Sequence, residues 1–406
     1  MAMNQKVKNA IALGTLCSVA YLAVYVARNV LGAVSAAMTD SGEFLESYIG
    51  DLLFAYYMCY AVGQLINGFI GDKIKARYMI SCGLLFAGVT NLVFSRIAFN
   101  GSSWAMVAYG ATGFFLAMIY GPMTKVVSEN TELRYATRCS LGYTFASFFG
   151  SPLAGLLATF FVWQTVFTVS SVALFVMAAI CFSTFLLMEK KGIVKYGQYD
   201  KVKHTQSGVI RMLLKRQIVK FCLIAVITGV IRTALISFLT EYFADHLGFG
   251  DKATVVFSVV TLVISGATFV GIGVYECLHR NMDLTILLMF SLASCFFLGV
   301  YFVSAPMVNV VLLVLAIMAS NSAATMLWSR YCPSLRDTGM VSGITGFLDF
   351  LNYMAAALAS TFIGRAITGI GWNNLILILM GLMICGVVVA LPYDKFKGRP
   401  KIEENT

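Results

Sequence analysis

The sequence predicts an all-α membrane protein, with twelve transmembrane helices in two pseudo-symmetric six-helix bundles. Three observations carry that prediction. Of 406 residues, 59% are hydrophobic and only 12% charged, with a mean hydropathy of +0.82, whereas an ordinary soluble domain carries about 25% charged residues. Runs of about 18 or more apolar residues recur along the chain, which suits spanning helices. No stretch alternates apolar and polar residues in the units of about ten that a lipid-facing β-barrel needs. Finally, chemistry-bearing residues recur half a chain length apart: Arg28 and Arg232 at an offset of 204, Asp72 and Glu276 at 204, and Leu133-Arg134 with Leu335-Arg336 at 202. Three coincidences near one offset point to a duplicated six-helix unit.

Taken in order, the spans fall near 9–37, 48–71, 77–97, 103–127, 137–160 and 163–188 in the first half, and near 217–242, 253–277, 284–303, 307–330, 339–365 and 372–392 in the second. In chain order these are spans 1 to 12. The polar stretch 189–216, EKKGIVKYGQYDKVKHTQSGVIRMLLKR, separates a bundle over 1–188 from one over 217–406 and reads as a linker. Of the 29 basic residues, 24 fall on the side of the termini, three opposite and two, Arg28 and Arg232, within the bilayer. The positive-inside rule then places both termini in the cytoplasm of a multi-pass plasma (inner) membrane protein. The opposite side is acidic between spans 1 and 2, with Asp40, Glu43, Glu46 and Asp51. The net charge of +10 is therefore expected to follow topology and anionic lipid rather than nucleic acid. Lys6 and Lys8 before an apolar run imitate a signal peptide, but the run is too long and lacks a small-residue cleavage site, so it reads as an uncleaved first span. The ten cysteines are scattered without a CxxC pair, so neither a disulfide framework nor a metal site is expected.

The two intramembrane arginines are the leading functional candidates. An arginine at mid-bilayer costs about 2.5–3.5 kcal/mol on insertion scales, so it needs a partner or a water-filled cavity. Two at matched positions suggest one cavity lined by two related halves; the competing reading is that each neutralises a nearby acid or snorkels to an interface. Tyr21, Tyr25 and Arg28 stand at i, i+4 and i+7, on one helical face. Asp349, flanked by Phe347, Leu348, Phe350 and Leu351, is expected to face the bundle interior. It reads equally as a proton relay or as a static ion pair with Arg232. Asn321, with Ser322 and Thr325, supplies neutral hydrogen-bonding groups on span 10. Small residues at Gly142, Ala146, Gly150 and Gly155 of span 5 and at Gly339, Gly343, Gly346, Ala355 and Ala359 of span 11 allow close helix packing. No GxxxxGK[ST] loop and no cluster of nucleophile, base or metal ligands is present, so no enzyme, no ATP-driven pump and no cofactor are expected.

GFIGDKIKAR, from Gly68 to Arg77, resembles the signature between helices 2 and 3 of the major facilitator superfamily. Gly68 and Gly71 permit backbone approach, Asp72 accepts charge-assisted bonds from cations, and Gly68, Asp72 and Arg77 together are expected to form a conformational latch. The departure is Lys75, where many members carry glycine. Four further segments resemble the organophosphate:phosphate antiporters, the glycerol-3-phosphate and hexose-phosphate transporters: YLAVYVARN with Tyr21, Tyr25 and Arg28, YGPMTK ending span 4, GVIRTALISFLTEYF with Arg232, and the stretch from Ser342 to Leu375. The resemblance implies the major facilitator fold, alternating access, and an anion clamp in which Arg28 and Arg232 hold a phosphate through paired hydrogen bonds, with Tyr60 near the site. Where glycerol-3-phosphate-type members have lysine four residues after that tyrosine this chain has Gln64, and span 5 lacks their histidine. His204, His246 and His279 fall in predicted loops. Together these features read as a monomeric carrier of a small organic anion, led by phosphate esters exchanged for phosphate. Proton-coupled carboxylate transport and a transporter-like sensor of sugar phosphate remain as alternatives.

Overall fold

In the computed structural model, residues 5–40, 42–197, 206–236 and 238–391 are described. Residues 198–205 of the expected linker, with His204, lie outside them, and so do the side chains of Asp40 and Glu46. Among the described residues the regular structure is helical, joined by turns and loops. Spans 1 to 6 are the continuous helices Gln5–Asp40, Glu46–Gly71, Ala76–Ile97, Ser103–Asn130, Leu133–Phe160 and Trp163–Lys190. The chain re-enters helix at Gln206–Lys215, within the stretch read as linker; Gln217 then adopts a left-handed φ of 57° before Ile218–Gly229 opens span 7. Span 8 is Ala253–Ser265 and Ala267–Cys277, jointed at Gly266, and span 9 is Met282–Phe302. Span 10 runs Pro306–Met326 and continues as a π-helical turn, Leu327–Tyr331. Spans 11 and 12 share Val341–Ala390, broken where Gly371 takes φ 76° and ψ 169°.

Among the described residues, ten helices are long and apolar enough to cross a membrane. Expected spans 5 and 7 each include side chains outside the described residues and so are not among the ten. Span 5 is one continuous helix, Leu133–Phe160. Span 7 is not one α-helix: π turns at Val230–Leu235 and Tyr242–His246 interrupt it. Such turns insert a residue into the i→i−4 ladder and recur at functional positions.

Contacts group the chain into two compact units, Met1–Arg216 with Leu327–Met354, and Gln217–Met326 with Ala355–Thr406. In the first, span 1 packs on spans 5 and 6, and span 4 on spans 2 and 3. In the second, span 10 packs on spans 7, 8 and 9.

Two close backbone approaches set the positions of spans 1, 2 and 11. A Cβ built on Gly68 would stand 2.9 Å from the carbonyl oxygen of Ser342 and 3.0 Å from Cα of Gly346, so spans 2 and 11 touch backbone to backbone there. On span 5, a Cβ on Gly150 would collide with Cβ of Tyr25 and lie 2.8 Å from its carbonyl carbon. Gly150 thereby lets span 5 press against the turn of span 1 that carries Tyr25. Overpacking typically costs about 1–3 kcal/mol. Gly150→Ala is accordingly expected to lower the thermal midpoint of the detergent-purified protein, measured by differential scanning fluorimetry, while Gly155→Ala, whose added methyl would meet nothing, leaves it unchanged.

Candidate functional site

Arg28 projects from the middle of span 1 into a cage of tyrosines. Its guanidinium carbon lies 5.3 Å from the ring centre of Tyr25, 5.4 Å from Tyr57, 4.9 Å from Tyr60 and 5.0 Å from Tyr353. Each cation–π contact contributes about 0.5–2 kcal/mol, more as the pair is desolvated. Several together match the insertion cost of about 2.5–3.5 kcal/mol. Among the described residues no carboxylate lies within ion-pair distance of Arg28, and no acceptor hydrogen-bonds to it. The rings hold the charge, and no described residue takes up its planar N–H fork. Tyr57 and Tyr353 were not among the sequence candidates. Tyr57 precedes Tyr60 by three residues and Tyr353 follows Asp349 by four, and both spacings share a helical face.

The other expected residues of this unit distribute around the cage. Tyr60 and Gln64 are buried, each 1% exposed, and Gln64 Nε2 has no hydrogen-bond partner. Tyr21 is buried but is not among the rings over Arg28: it packs edge-on to Tyr25 at 4.9 Å and stacks on Tyr120 at 5.5 Å. Asp349 is buried beside Asn352, within electrostatic range of Tyr60. A carboxylate and a guanidinium thus stand within reach of one tyrosine.

Arg232 belongs to the second unit. It lies half-buried in the π turn Val230–Leu235, which packs against span 10. Asn321 is half-buried on span 10, and its Oδ1 has no hydrogen-bond partner. Its neighbours do other work: Ser322 donates to the carbonyl of Ala267 at 2.8 Å, tying span 10 to span 8, and Thr325 donates to the carbonyl of Asn321 at 3.0 Å.

At the connection of spans 2 and 3, Asp72 receives the backbone N–H of Ser342 on Oδ1 at 3.0 Å and that of Gly343 on Oδ2 at 2.9 Å. These are orphan donors of the first turn of span 11, so a carboxylate from one helix caps another and meets the positive end of its dipole. Lys125 stands 3.7 Å from the same carboxylate and donates to the carbonyl oxygen of Asp72 at 2.9 Å. Arg77 is placed elsewhere. Its Nη1 donates to Glu189 at 2.8 Å, and its charge lies over Tyr78 and Phe182, at 4.6 and 5.2 Å, binding the start of span 3 to the end of span 6. The cation at Asp72 is therefore Lys125, the basic residue of YGPMTK. Next to Arg77, burial pushes the Tyr196 phenol up, partly offset by the Arg77 backbone N–H it accepts. His246 closes the π turn of span 7 rather than a loop, exposed and stacked on Tyr242 at 5.1 Å. His279 sits in the turn after span 8, at φ 53°.

Over 103 residues the chain is 30% identical to the membrane sensor protein UhpC of Salmonella typhimurium, covering 25% of this chain and 23% of that protein. Over 96 residues it is 30% identical to the membrane sensor protein UhpC of Escherichia coli, covering 23% of this chain and 21% of that protein. The chain thus spans less than a quarter of the length of these curated relatives. Among solved structures, the transporter FucP in its outward conformation superimposes with a TM-score of 0.72 at 16% identity, over 96% of this chain and 99% of that one. A variant of the fucose:proton symporter FucP of E. coli gives 0.71 over the same shares. At this identity the likeness is one of fold. The Major Facilitator Superfamily model matches residues 17–360. That match covers most of the chain, and the fold agrees with it over nearly the whole length: the chain belongs to the Major Facilitator Superfamily.

Proposed function

We propose that this protein is a secondary active transporter that moves a small organic anion by alternating access, exchanging a phosphate ester for phosphate. The observation that carries this reading is Arg28, whose charge is held by four tyrosine rings while its N–H fork takes no acceptor from the described residues. A guanidinium so placed suits a tetrahedral oxyanion, since it stays charged and bonds two oxygens at once. Arg232 is the second arm of the clamp in this proposal, with Tyr21, Tyr25, Tyr60, Gln64 and Asn321 as neutral contacts. The chain works as a monomer of two six-helix bundles, 1–188 and 217–406, joined by a cytoplasmic linker, with both termini cytoplasmic in the plasma (inner) membrane.

Two alternatives rest on particular observations. Buried Asp349, near the tyrosines of the cage, favours a proton-coupled organic-anion (carboxylate) carrier. The stretch shared with a protein named as a membrane sensor favours a transporter-like sensor. In every version Asp72, with Gly68 at the close contact, acts as a latch on span 11 that is released during the cycle. Arg77 supports it by holding spans 3 and 6 together.

Arg28→Lys and Arg232→Lys are each expected to weaken phosphate and phosphate-ester binding roughly 10-fold or more, because a charge-assisted hydrogen bond contributes about 1.5–3 kcal/mol and the ammonium lacks the fork. Counterflow of labelled phosphate in proteoliposomes measures this, and near-normal affinity in both variants removes the clamp. Asp349→Asn separates exchange from proton coupling: exchange predicts intact phosphate counterflow and no response to an imposed pH gradient in either protein. Gradient-driven uptake by the wild type that the Asn variant loses, with counterflow spared, would establish the proton-coupled reading instead. Asp72→Asn, which keeps the shape but halves the strength of the cap, is expected to slow turnover with little change in equilibrium affinity. An unchanged turnover number would remove the latch.

A further inference from the structure

The aromatic wall that reaches Arg28 does not stop at the cage. Tyr25 lies over the guanidinium at 5.3 Å and meets Tyr21 at 4.9 Å; Tyr21 stacks on Tyr120 at 5.5 Å; and Tyr120 meets the indole of Trp328 edge-on at 6.2 Å. All five residues belong to one compact unit. At its far end Trp328 is 9% exposed, and among the described residues its indole Nε1 has no hydrogen-bond partner. A buried indole N–H normally finds an acceptor, and leaving that bond unmade is unfavourable. The backbone at this point is also irregular, because Trp328 lies in the π turn Leu327–Tyr331 that ends span 10. Such turns re-aim a side chain and recur at functional positions. An unsatisfied donor, a non-standard turn and a continuous ring surface leading to the cation therefore coincide.

From this juxtaposition we infer that Tyr21, Tyr120 and Trp328 form a subsite for the carbon skeleton of the substrate, and that the Trp328 N–H donates to one of its hydroxyl or ring oxygens. The inference rests on the proposed anion site at Arg28 and assigns the other end of the ligand: a hydroxylated, sugar- or polyol-like moiety. Flat ring faces pack against C–H surfaces, while a lone donor reads an oxygen. A phosphate with no hydroxylated tail would use Arg28 and ignore Trp328. Selectivity among phosphorylated compounds is then decided on span 10, away from the charge.

The experiment compares dissociation constants of the purified full chain for inorganic phosphate, methyl phosphate, glycerol 3-phosphate, a hexose 6-phosphate and the unphosphorylated hexose, using ligand-induced thermal shifts. Trp328→Phe keeps the ring and deletes the donor. It is expected to weaken glycerol 3-phosphate and hexose 6-phosphate by ~5–10-fold, the loss of one hydrogen bond of about 1–1.5 kcal/mol, and to leave phosphate and methyl phosphate within twofold. The ligand-free midpoint shows whether the variant folds; should it not, Tyr120→Leu, which removes the ring against the indole, must show the same selectivity. Equal weakening of all ligands, or of none, overturns the subsite. A wild type that binds hexose in a Trp328-dependent way but takes no phosphate supports the subsite and overturns the phosphate reading of Arg28. A wild type that binds nothing in the panel overturns both.

Discussion

A permanent charge inside the hydrocarbon region is the constraint around which the first unit is arranged. Arg28 sits in the middle of a 36-residue helix and has no ion-pair partner among the described residues. Its stabilisation comes from ring quadrupoles supplied by three helices: Tyr25 from span 1, Tyr57 and Tyr60 from span 2, and Tyr353 from span 11. A carboxylate would stabilise the same charge but would also occupy its hydrogen-bond donors. Rings do the first without the second. The choice of tyrosine over aspartate around Arg28 is thus the difference between a charge that is neutralised and one that is only stabilised.

That requirement propagates into packing. Tyr25 is held where span 5 offers only Gly150, and Tyr353 comes from span 11, which reaches the cage because Gly68 and Gly346 let two backbones meet. The same helix is capped at its start by Asp72, whose carboxylate accepts from Ser342 and Gly343. From Asp72 to Tyr353, then, one stretch of span 11 is fastened at its N-terminus by a charge and lends the cage a ring about three turns later. The cap and the cage thus sit at two ends of one continuous helical stretch.

Much of this was legible in the residues. Helix positions followed from hydropathy within a few residues; Arg28 and Asp349 stood out because charge in an apolar run is expensive, and Asp72 through the motif GFIGDKIKAR. The partners of Arg28 were harder to read. YYMCY on span 2 carries three tyrosines, and which of them faces the arginine depends on helix rotation: Tyr57 and Tyr60 lie over it, while Tyr56 turns toward Tyr109 at 5.0 Å. The pairing of Arg77 with Glu189, rather than with Asp72, depends on where the end of span 6 arrives. The π turns carried no sequence signal, since a single inserted residue barely alters an apolar pattern. Trp328 was hidden for the same reason: in sequence it is one more aromatic in a membrane helix, and only its unmade hydrogen bond distinguishes it.

The connections after the odd-numbered spans are short: 41–45, 98–102, 161–162, 247–249, 303–305 and the single residue Gly371. Segments of five residues or fewer have no slack to take up a large displacement of the helices they join. Within the helices the two halves of the sequence differ. Spans 1 to 6 are unbroken α-helices, whereas spans 7, 8 and 10 contain the π turns Val230–Leu235, Tyr242–His246 and Leu327–Tyr331 and the joint at Gly266. The two halves of the sequence thus differ in helix continuity as well as in chemistry, and the irregular turns of the second lie inside helices, where insertions are far less readily accommodated than in surface loops.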